Sequence, residues 1–506
     1  MRLANEATDS LEHTGFKGFT FANILNLPYD AICNPRNRFF CKIFVFFELR
    51  GTPMLLRFGT SNHRSIREYQ EISFTASSLK DDEEGLLRIE FEEGEADETS
   101  ASAKLKILPV LAIYGSNAAG KSTTLNALDF FVDTIKNSHG RTARKTGTLH
   151  KPFLLDADSR KSESSYDIDF VIGETRYHYG FKLDGKRFTS EWLYAFNLSS
   201  KRQVRTVLFH RDHTEDEEFY FGGALKGDNK RIVKSARDNS LYLSVAAQNA
   251  HPLLSNIYEY FFNKVSTRLE QNVNKVYMSK QLSNYFSENK SNREQAFSFL
   301  KAADIGVEDV NFTTMEFDEN TKKLLNDVNQ VISKHFDQEI ENDDLVEAKL
   351  LHTGEDKLKY PIDLMHESSG TLALLQILGP VFTRLAKGGI LIVDELNISL
   401  HPLVSKELVK LFSSPITNPG KAQLLFTTHD TGMLTNGLLR RDQIWFAEKS
   451  QSGSTRLYSL SDIKTRSTDN FEKGYIEGRF GAIPLFGIHK NFLRSDINQD
   501  KVDNEK

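Results

Sequence analysis

One octapeptide constrains this chain more than any other feature: Gly115-Ser116-Asn117-Ala118-Ala119-Gly120-Lys121-Ser122. It fits G-x-x-x-x-G-K-[ST], and average residue usage makes a chance match over 506 residues an event of about 0.02. Its flanks narrow the reading further. Lys106 to Tyr114 is a compact apolar run of the kind a buried parallel strand shows, and Leu125, Leu128, Val132 and Ile135 then recur on one helix face. Strand, glycine loop and helix in that order turn backbone N–H groups around phosphate oxygens and aim the positive helix end at them. Lys121 is expected to reach the β- and γ-phosphates and Ser122 to ligate Mg²⁺, with Thr123 closing the phosphate-binding run. The fold class this demands is α/β.

A second half of the site is predicted 273 positions beyond Lys121. Ile390-Leu391-Ile392-Val393 is an apolar strand ending in Asp394 and Glu395. Asp394 would hold Mg²⁺ through water, and Glu395 would orient or deprotonate an attacking water. The next apolar strand, from Gln423, ends in Thr427-Thr428-His429-Asp430, where His429 is placed to hydrogen-bond a γ-phosphate. Between these lies His366-Glu367-Ser368-Ser369-Gly370-Thr371, before a helix marked by Leu372, Leu375, Leu378 and Phe382. Two readings stand side by side. Ser368 is an ordinary helix cap, or Ser368, Ser369 and Gly370 form an anion site. In the second case it is aimed at a nucleotide in another subunit, because one P-loop already surrounds its own phosphates.

Composition sets the outer limits. With 64 Lys+Arg against 69 Asp+Glu, the net charge of −5 argues against a histone-like coat for nucleic acid, while leaving room for a local basic groove. Hydrophobic residues at 39% exclude a wholly disordered chain, and no apolar run approaches the length of a membrane span. Two cysteines, Cys33 and Cys41, cannot make a disulfide framework, and with no secretory signal a cytoplasmic location is expected. Both cysteines lie in residues 1–53, which read as an N-terminal extension, with the natural start expected at Met54; a genuine N-terminal arm is the alternative. Residues 54–245 read as a first lobe carrying the phosphate loop and an antiparallel β subdomain, since Tyr166, Ile168, Phe170 and Ile172 alternate with polar positions. Residues 246–350 read as a helical insertion, 351–450 as a second lobe, and 451–506 as a C-terminal region. The ten acids among residues 81–98 are expected to form a solvated loop around a short edge strand.

A P-loop, a long insertion, Ser-Ser-Gly ahead of a helix, Asp-Glu ending a strand and then a His is an order that resembles ABC-type ATPases, most closely the SMC/RecF-like subgroup. Within it the text resembles AAA-family ATPases of the abortive-infection and OLD group of bacterial anti-phage systems. The stretches that carry the likeness are Met54-Leu55-Leu56-Arg57-Phe58 with Asn62-His63-Arg64-Ser65; His150-Lys151-Pro152-Phe153-Leu154-Leu155-Asp156; Ser244-Val245-Ala246-Ala247-Gln248; Asp394-Glu395-Leu396-Asn397 with Ser399-Leu400-His401-Pro402; and Gly478-Arg479-Phe480-Gly481-Ala482-Ile483-Pro484. The resemblance implies a P-loop NTPase of ABC/SMC-head type that hydrolyses ATP with Mg²⁺. It implies a homodimer or higher homo-oligomer in which Ser368 to Gly370 of one copy close on the nucleotide held by Lys121 of the other. Arg64 would lie near that nucleotide, and Asn397 to His401 would cross the seam.

The chain also departs from the pattern. Glu-Ser-Ser-Gly-Thr replaces Leu-Ser-Gly-Gly-Gln, and no Gln between Ser122 and Arg202 can serve as the usual Mg²⁺-contacting residue. Lys121 and Ser368 are 247 residues apart, too close for long SMC arms, and the 77 residues after His429 are too few for a Toprim nuclease domain. An ATPase without a nuclease of its own is therefore expected, and the resemblance implies a role in phage defence with a separately encoded effector such as a nuclease. A RecF-like DNA-repair ATPase and an ATP-bound scaffold with little turnover are the alternatives. Arg141, Arg144 and Lys145, and the cluster Lys226, Lys230, Arg231, Lys234 and Arg237, are either solvated loops or a surface for DNA or RNA.

Overall fold

The computed structural model describes residues 52–79, 81–89, 105–141, 147–200, 202–269, 275–287, 290–314, 323 and 346–484. The expectations for residues 1–53, apart from the last two, and for Arg144 and Lys145 lie outside them.

Two sheets organise the fold. The larger is antiparallel throughout, built from β1 (Met54–Ser61), β2 (Gln70–Ser73), β6 (Ser164–Ile172), β7 (Thr175–Leu183), β8 (Phe188–Asn197), β9 (Thr206–Asp212) and β10 (Phe219–Phe221), in the order β10-β9-β8-β7-β6-β1-β2. β3 (Leu87–Ile89) and β4 (Leu105–Ile107) pair separately as a short ribbon. The second sheet has the order β11-β15-β16-β5-β17-β18, from β5 (Val110–Tyr114), β11 (Val265–Arg268), β15 (Ile390–Val393), β16 (Gln423–Thr427), β17 (Ile444–Lys449) and β18 (Thr455–Ser459). All its pairs are parallel except β17 with β18. This is an α/β fold whose parallel strands end at one common edge, where open sheets of this kind bind ligands.

Strand composition explains why the parallel sheet is central. Every residue of β5 is buried, and its side chains divide between two cores. Leu111 and Ile113 face one, with Ile390, Ile392 and Leu425, while Val110, Ala112 and Tyr114 face the other, with Leu391, Val393, Leu424 and Phe426. Helix α1 (Lys121–Arg141) fills the first core, lying between the two sheets. Its Phe131 stacks on Phe181 at 5.2 Å and meets Phe58, Tyr179 and Phe261 edge-on. Truncating such a fully enclosed ring costs about 3–5 kcal/mol. The sheets are also pinned directly, since Gln423 exchanges both amide hydrogen bonds with the backbone of Leu55.

The second core is covered by helix α6 (Ser369–Lys387), whose Leu372, Leu375, Leu378 and Phe382 are all buried, and by α7 (Pro402–Ser413). Helices α2 (Tyr242–Gln248) and α3 (Pro252–Lys264) pack on α1. Helices α4 (Lys275–Phe286) and α5 (Lys290–Ala302) pack on α6, beside a three-stranded sheet of β12 (Val307–Thr314), β13 (Val346–Thr353) and β14 (Lys359–Asp363). No helix of the described residues is long and apolar enough to cross a membrane.

Three features of the structure bear on the divisions and loop expected above. The stretch read as a helical insertion contributes β11 to the core sheet and also holds the eight-residue β12; β11 has only four residues, three of them polar, and carries little periodic signal. The division at residue 450 cuts through the β17–β18 hairpin. The acidic loop is not wholly solvated. Asp81 is half-buried against Arg441, which donates to it from Nη2 at 2.6 Å, and against the upward push of burial this pairing holds the Asp81 carboxyl below the usual carboxylate range.

Candidate functional site

The phosphate loop joins the buried end of β5 to the first turn of α1. Gly115, Ala118 and Gly120 all have positive φ, at 156°, 61° and 107°. At Gly120 a Cβ would come within 2.0 Å of Thr455 Oγ1, so only glycine fits. Asn117 and Ala118 are exposed, Ser122 and Thr123 half-buried, and Lys121 buried. Lys121 Nζ donates to the carbonyls of Gly115 at 2.9 Å and Ser116 at 3.1 Å. Burial holds its ammonium below the usual lysine range, against the opposing pull of the Glu395 and Asp394 carboxylates. Phosphate oxygens are the natural competitors for such a desolvated ammonium.

Asp394 and Glu395 follow β15, and the adjoining end of β16 organises both. The fully buried Thr427 hydroxyl donates to Asp394 Oδ1 at 2.5 Å and accepts from the Glu395 amide at 2.7 Å. The Glu395 backbone is left-handed, with φ of 52°, which turns its side chain away from the strand direction. His429 Nε2 lies 4.0 Å from Glu395 Oε1. Burial and the charge on Lys121 keep the His429 imidazole below the usual histidine range, against Glu395 and Asp394. At neutral pH it is therefore an uncharged ring with one N–H to donate. The sequence reading singled out His429 but passed over Thr427, whose only signal was its place at the strand end.

Ser368 to Gly370 sit apart. Ser368 is the N-cap of α6, accepting from the Thr371 amide at 3.0 Å, so the ordinary capping role is present. Glu367 is held by His352 at 2.6 Å, and a Cβ on Gly370 would lie 2.8 Å from the Ser399 carbonyl. Among the described residues no hydrogen bond or ion pair joins residues 367–371 to the phosphate loop. A cavity of about 270 Å³ lies between this helix end and β15, lined by Arg268, Ser369, Gln376, Asp394, Glu395 and Ser399. Asn397 accepts from the Thr428 hydroxyl, and His401 caps α7 through the Leu403 amide.

Arg64 is exposed in a left-handed turn, its amide bonded to the Lys151 carbonyl at 2.8 Å. The next residue, Ser65, donates to Thr123 Oγ1 at 3.1 Å, which puts Arg64 on the rim of the phosphate loop. Buried Asn62 holds this turn by binding the carbonyls of Ser159, Ser162 and Glu163 and the amide of Phe153. Beside it His63, bonded to the Tyr166 hydroxyl at 2.7 Å, has its pKa pushed down to about 3 by burial. At the other end of the sheet edge, the carbonyl of Arg268 on β11 accepts from the Asp394 amide at 3.0 Å. Sequence reading missed this strand end. Of the basic residues named, Lys226, Lys230 and Lys234 are exposed, Arg231 pairs with Asp228, and Arg237 donates to the His139 carbonyl.

Residues 110–435 match the family described as "AAA domain, putative AbiEii toxin, Type IV TA system". Among curated proteins none matches. Among solved structures the chain is similar to an SMC head domain from Thermotoga maritima, at 10% identity, covering 81% of this chain and 99% of that one with a TM-score of 0.35. It is also similar to an SMC head bound to the C-terminal winged-helix domain of ScpA, at 12% identity, covering 80% and 97% with a TM-score of 0.34. An Smc head from Pyrococcus furiosus with an extended coiled coil, bound to the C-terminal domain of ScpA, is 13% identical, covering 84% and 100% with a TM-score of 0.32.

Proposed function

Because the chain belongs to this AAA-domain family, we propose that it binds ATP with Mg²⁺, hydrolyses it, and dimerises around it to gate a separately encoded effector in anti-phage defence. The observation that carries the chemistry is the convergence of Lys121, Asp394, Glu395 and His429 at the carboxyl edge of one parallel sheet, ordered by the Thr427 hydroxyl.

The donor set suits the metal. A hydroxyl at Ser122 and a carboxylate at Asp394 are hard oxygen ligands, the kind Mg²⁺ takes alongside nucleotide phosphates. When bound, Mg²⁺ supplies neutralisation of phosphate charge. The chain's own residues do the rest. The amides of residues 116–123 cradle the phosphates, and Lys121 exchanges its two loop carbonyls for phosphate oxygens. Glu395 accepts a proton from the attacking water, while the neutral His429 donates a hydrogen bond where negative charge grows.

Dimerisation draws support from the setting of Ser368 to Gly370. They open a capped 19-residue helix, and the exposed apolar side chains of Met365, Ile398 and Leu403 lie on the segments around them. A cytoplasmic setting and a nuclease-type effector belong to the same proposal. DNA or RNA as a further partner is tested by whether binding falls steeply with salt. The deciding experiment is Glu395→Gln in cells and in vitro. ATP turnover is expected to collapse while ATP binding and dimerisation persist. Defence that survives the substitution would favour an ATP-bound scaffold, and turnover stimulated by DNA ends with no toxic partner would favour a RecF-like repair ATPase.

A further inference from the structure

The phosphate loop is held from behind by a side chain 336 residues away from it. Thr455 opens β18 and is buried. Its hydroxyl donates to the Ala119 carbonyl at 3.0 Å and lies 2.8 Å from Ser65 Oγ, which in turn reaches Thr123. The Thr455 amide donates to the Ser65 carbonyl at 2.7 Å. One residue thus ties together the loop, the first turn of α1 and the turn that carries Arg64.

Peptide geometry gives this contact a direction. In a planar trans peptide the C=O and the following N–H point opposite ways. Fixing the Ala119 carbonyl outward onto Thr455 therefore aims the Gly120 N–H the other way, into the phosphate cradle. The loop needs such a hold, because Ala118 sits at φ of 61°, a region non-glycine residues seldom occupy.

We propose that Thr455 is a positioning residue of the nucleotide site, its hydroxyl pre-setting the Gly120 amide toward phosphate. This rests on the ATP-binding reading of the loop. The family match ends at residue 435, so the contribution comes from outside the matched region.

The test compares Thr455→Val, which keeps the shape and removes the hydroxyl, with Thr455→Ser, which keeps the hydroxyl. Mg·ATP affinity, KM, kcat and the nucleotide-free melting temperature are measured on each full-length chain. Losing one such bond and stranding its carbonyl predicts about tenfold weaker ATP binding for Thr455→Val, carried by KM more than by kcat. Thr455→Ser is expected within about threefold of the parent, since the bond is retained. Parent-like affinity in Thr455→Val would overturn the proposal, as would a Thr455→Ser variant weakened just as much. Should Thr455→Val fail to fold, Thr455→Ala, which also removes the hydroxyl and adds no bulk beside Gly120, decides. Weaker ATP binding supports the clamp, and unchanged affinity overturns it. A parent chain that binds no ATP would sink the site reading together with the clamp, whereas equal binding by parent and Thr455→Val sinks the clamp alone.

Discussion

The phosphate edge and the Ser368 turn each lie at the N-terminus of a long helix, and they are built in different ways. At the phosphate edge, residues from β5, β15 and β16 are locked to each other, with Lys121 on loop carbonyls and Thr427 bridging Asp394 and Glu395. At the Ser368 turn, the contacts serve the turn itself: a helix cap, the His352–Glu367 pair and close packing on Ser399. The first region holds the parts to grip a phosphate within one copy. The second has a helix N-terminus and a capping hydroxyl, and under the proposed dimer it would meet a phosphate held by another copy.

Substitutions can break or sharpen that contrast. The largest effect is expected from Glu395→Gln, where loss of the general base lowers kcat about 10²- to 10⁴-fold in steady-state hydrolysis while ATP titration shows retained affinity. Lys121→Ala should cost about 10²- to 10³-fold in kcat/KM and, unlike Glu395→Gln, should weaken ATP binding measured by calorimetry. Parent-like binding and turnover in that variant would dissolve the phosphate edge as a functional unit.

Ser368→Asp is the sharper probe of the second region. Aspartate caps a helix about as well as serine, so α6 should persist, while the added charge repels a phosphate brought by another copy. Nucleotide-dependent dimers, followed by sedimentation, are expected to weaken about tenfold or more, with monomer ATP affinity little changed. Unimpaired dimers would reduce Ser368 to a cap. Thr427→Val should lower kcat/KM by about tenfold, because it removes the hydroxyl that bonds both Asp394 and the Glu395 amide.

The smallest effect concerns stability alone. Between the usual histidine pKa of 6.5 and the folded value of about 3, the unfolded chain binds a proton at His63 that the fold excludes. Stability therefore rises with pH across that window, and acidification from pH 7 to 5.5 should cost about 1 kcal/mol through His63. Denaturant midpoints should show this slope flattened in His63→Asn.

The strands and turn of the phosphate edge were legible in the text because their signals are local. A strand buried on both faces reads as an unbroken apolar run, so Val110–Tyr114 and Ile390–Val393 stood out, and glycines at fixed offsets marked the turn between strand and helix. The alternation of Tyr166, Ile168 and Phe170 likewise announced the antiparallel sheet. What stayed hidden depends on partners far along the chain. β11 is four residues long and finds its neighbour only at Ile390. Thr427 and Thr455 are single hydroxyls to which the sequence alone gives no role, and the Asp81–Arg441 pair spans 360 residues. Hydrogen bonds between distant segments leave no period in the sequence, and they supply much of the aim of this site.

Helix α1 has a mechanical consequence. Its first turn carries Lys121, and three turns on its Phe131 is wedged among rings from β1, β7 and α3. The helix is thus held at its first turn and again at its middle. Any displacement of the loop would therefore reach the packing of β1 and β7 before that of the edge strands β10 and β2.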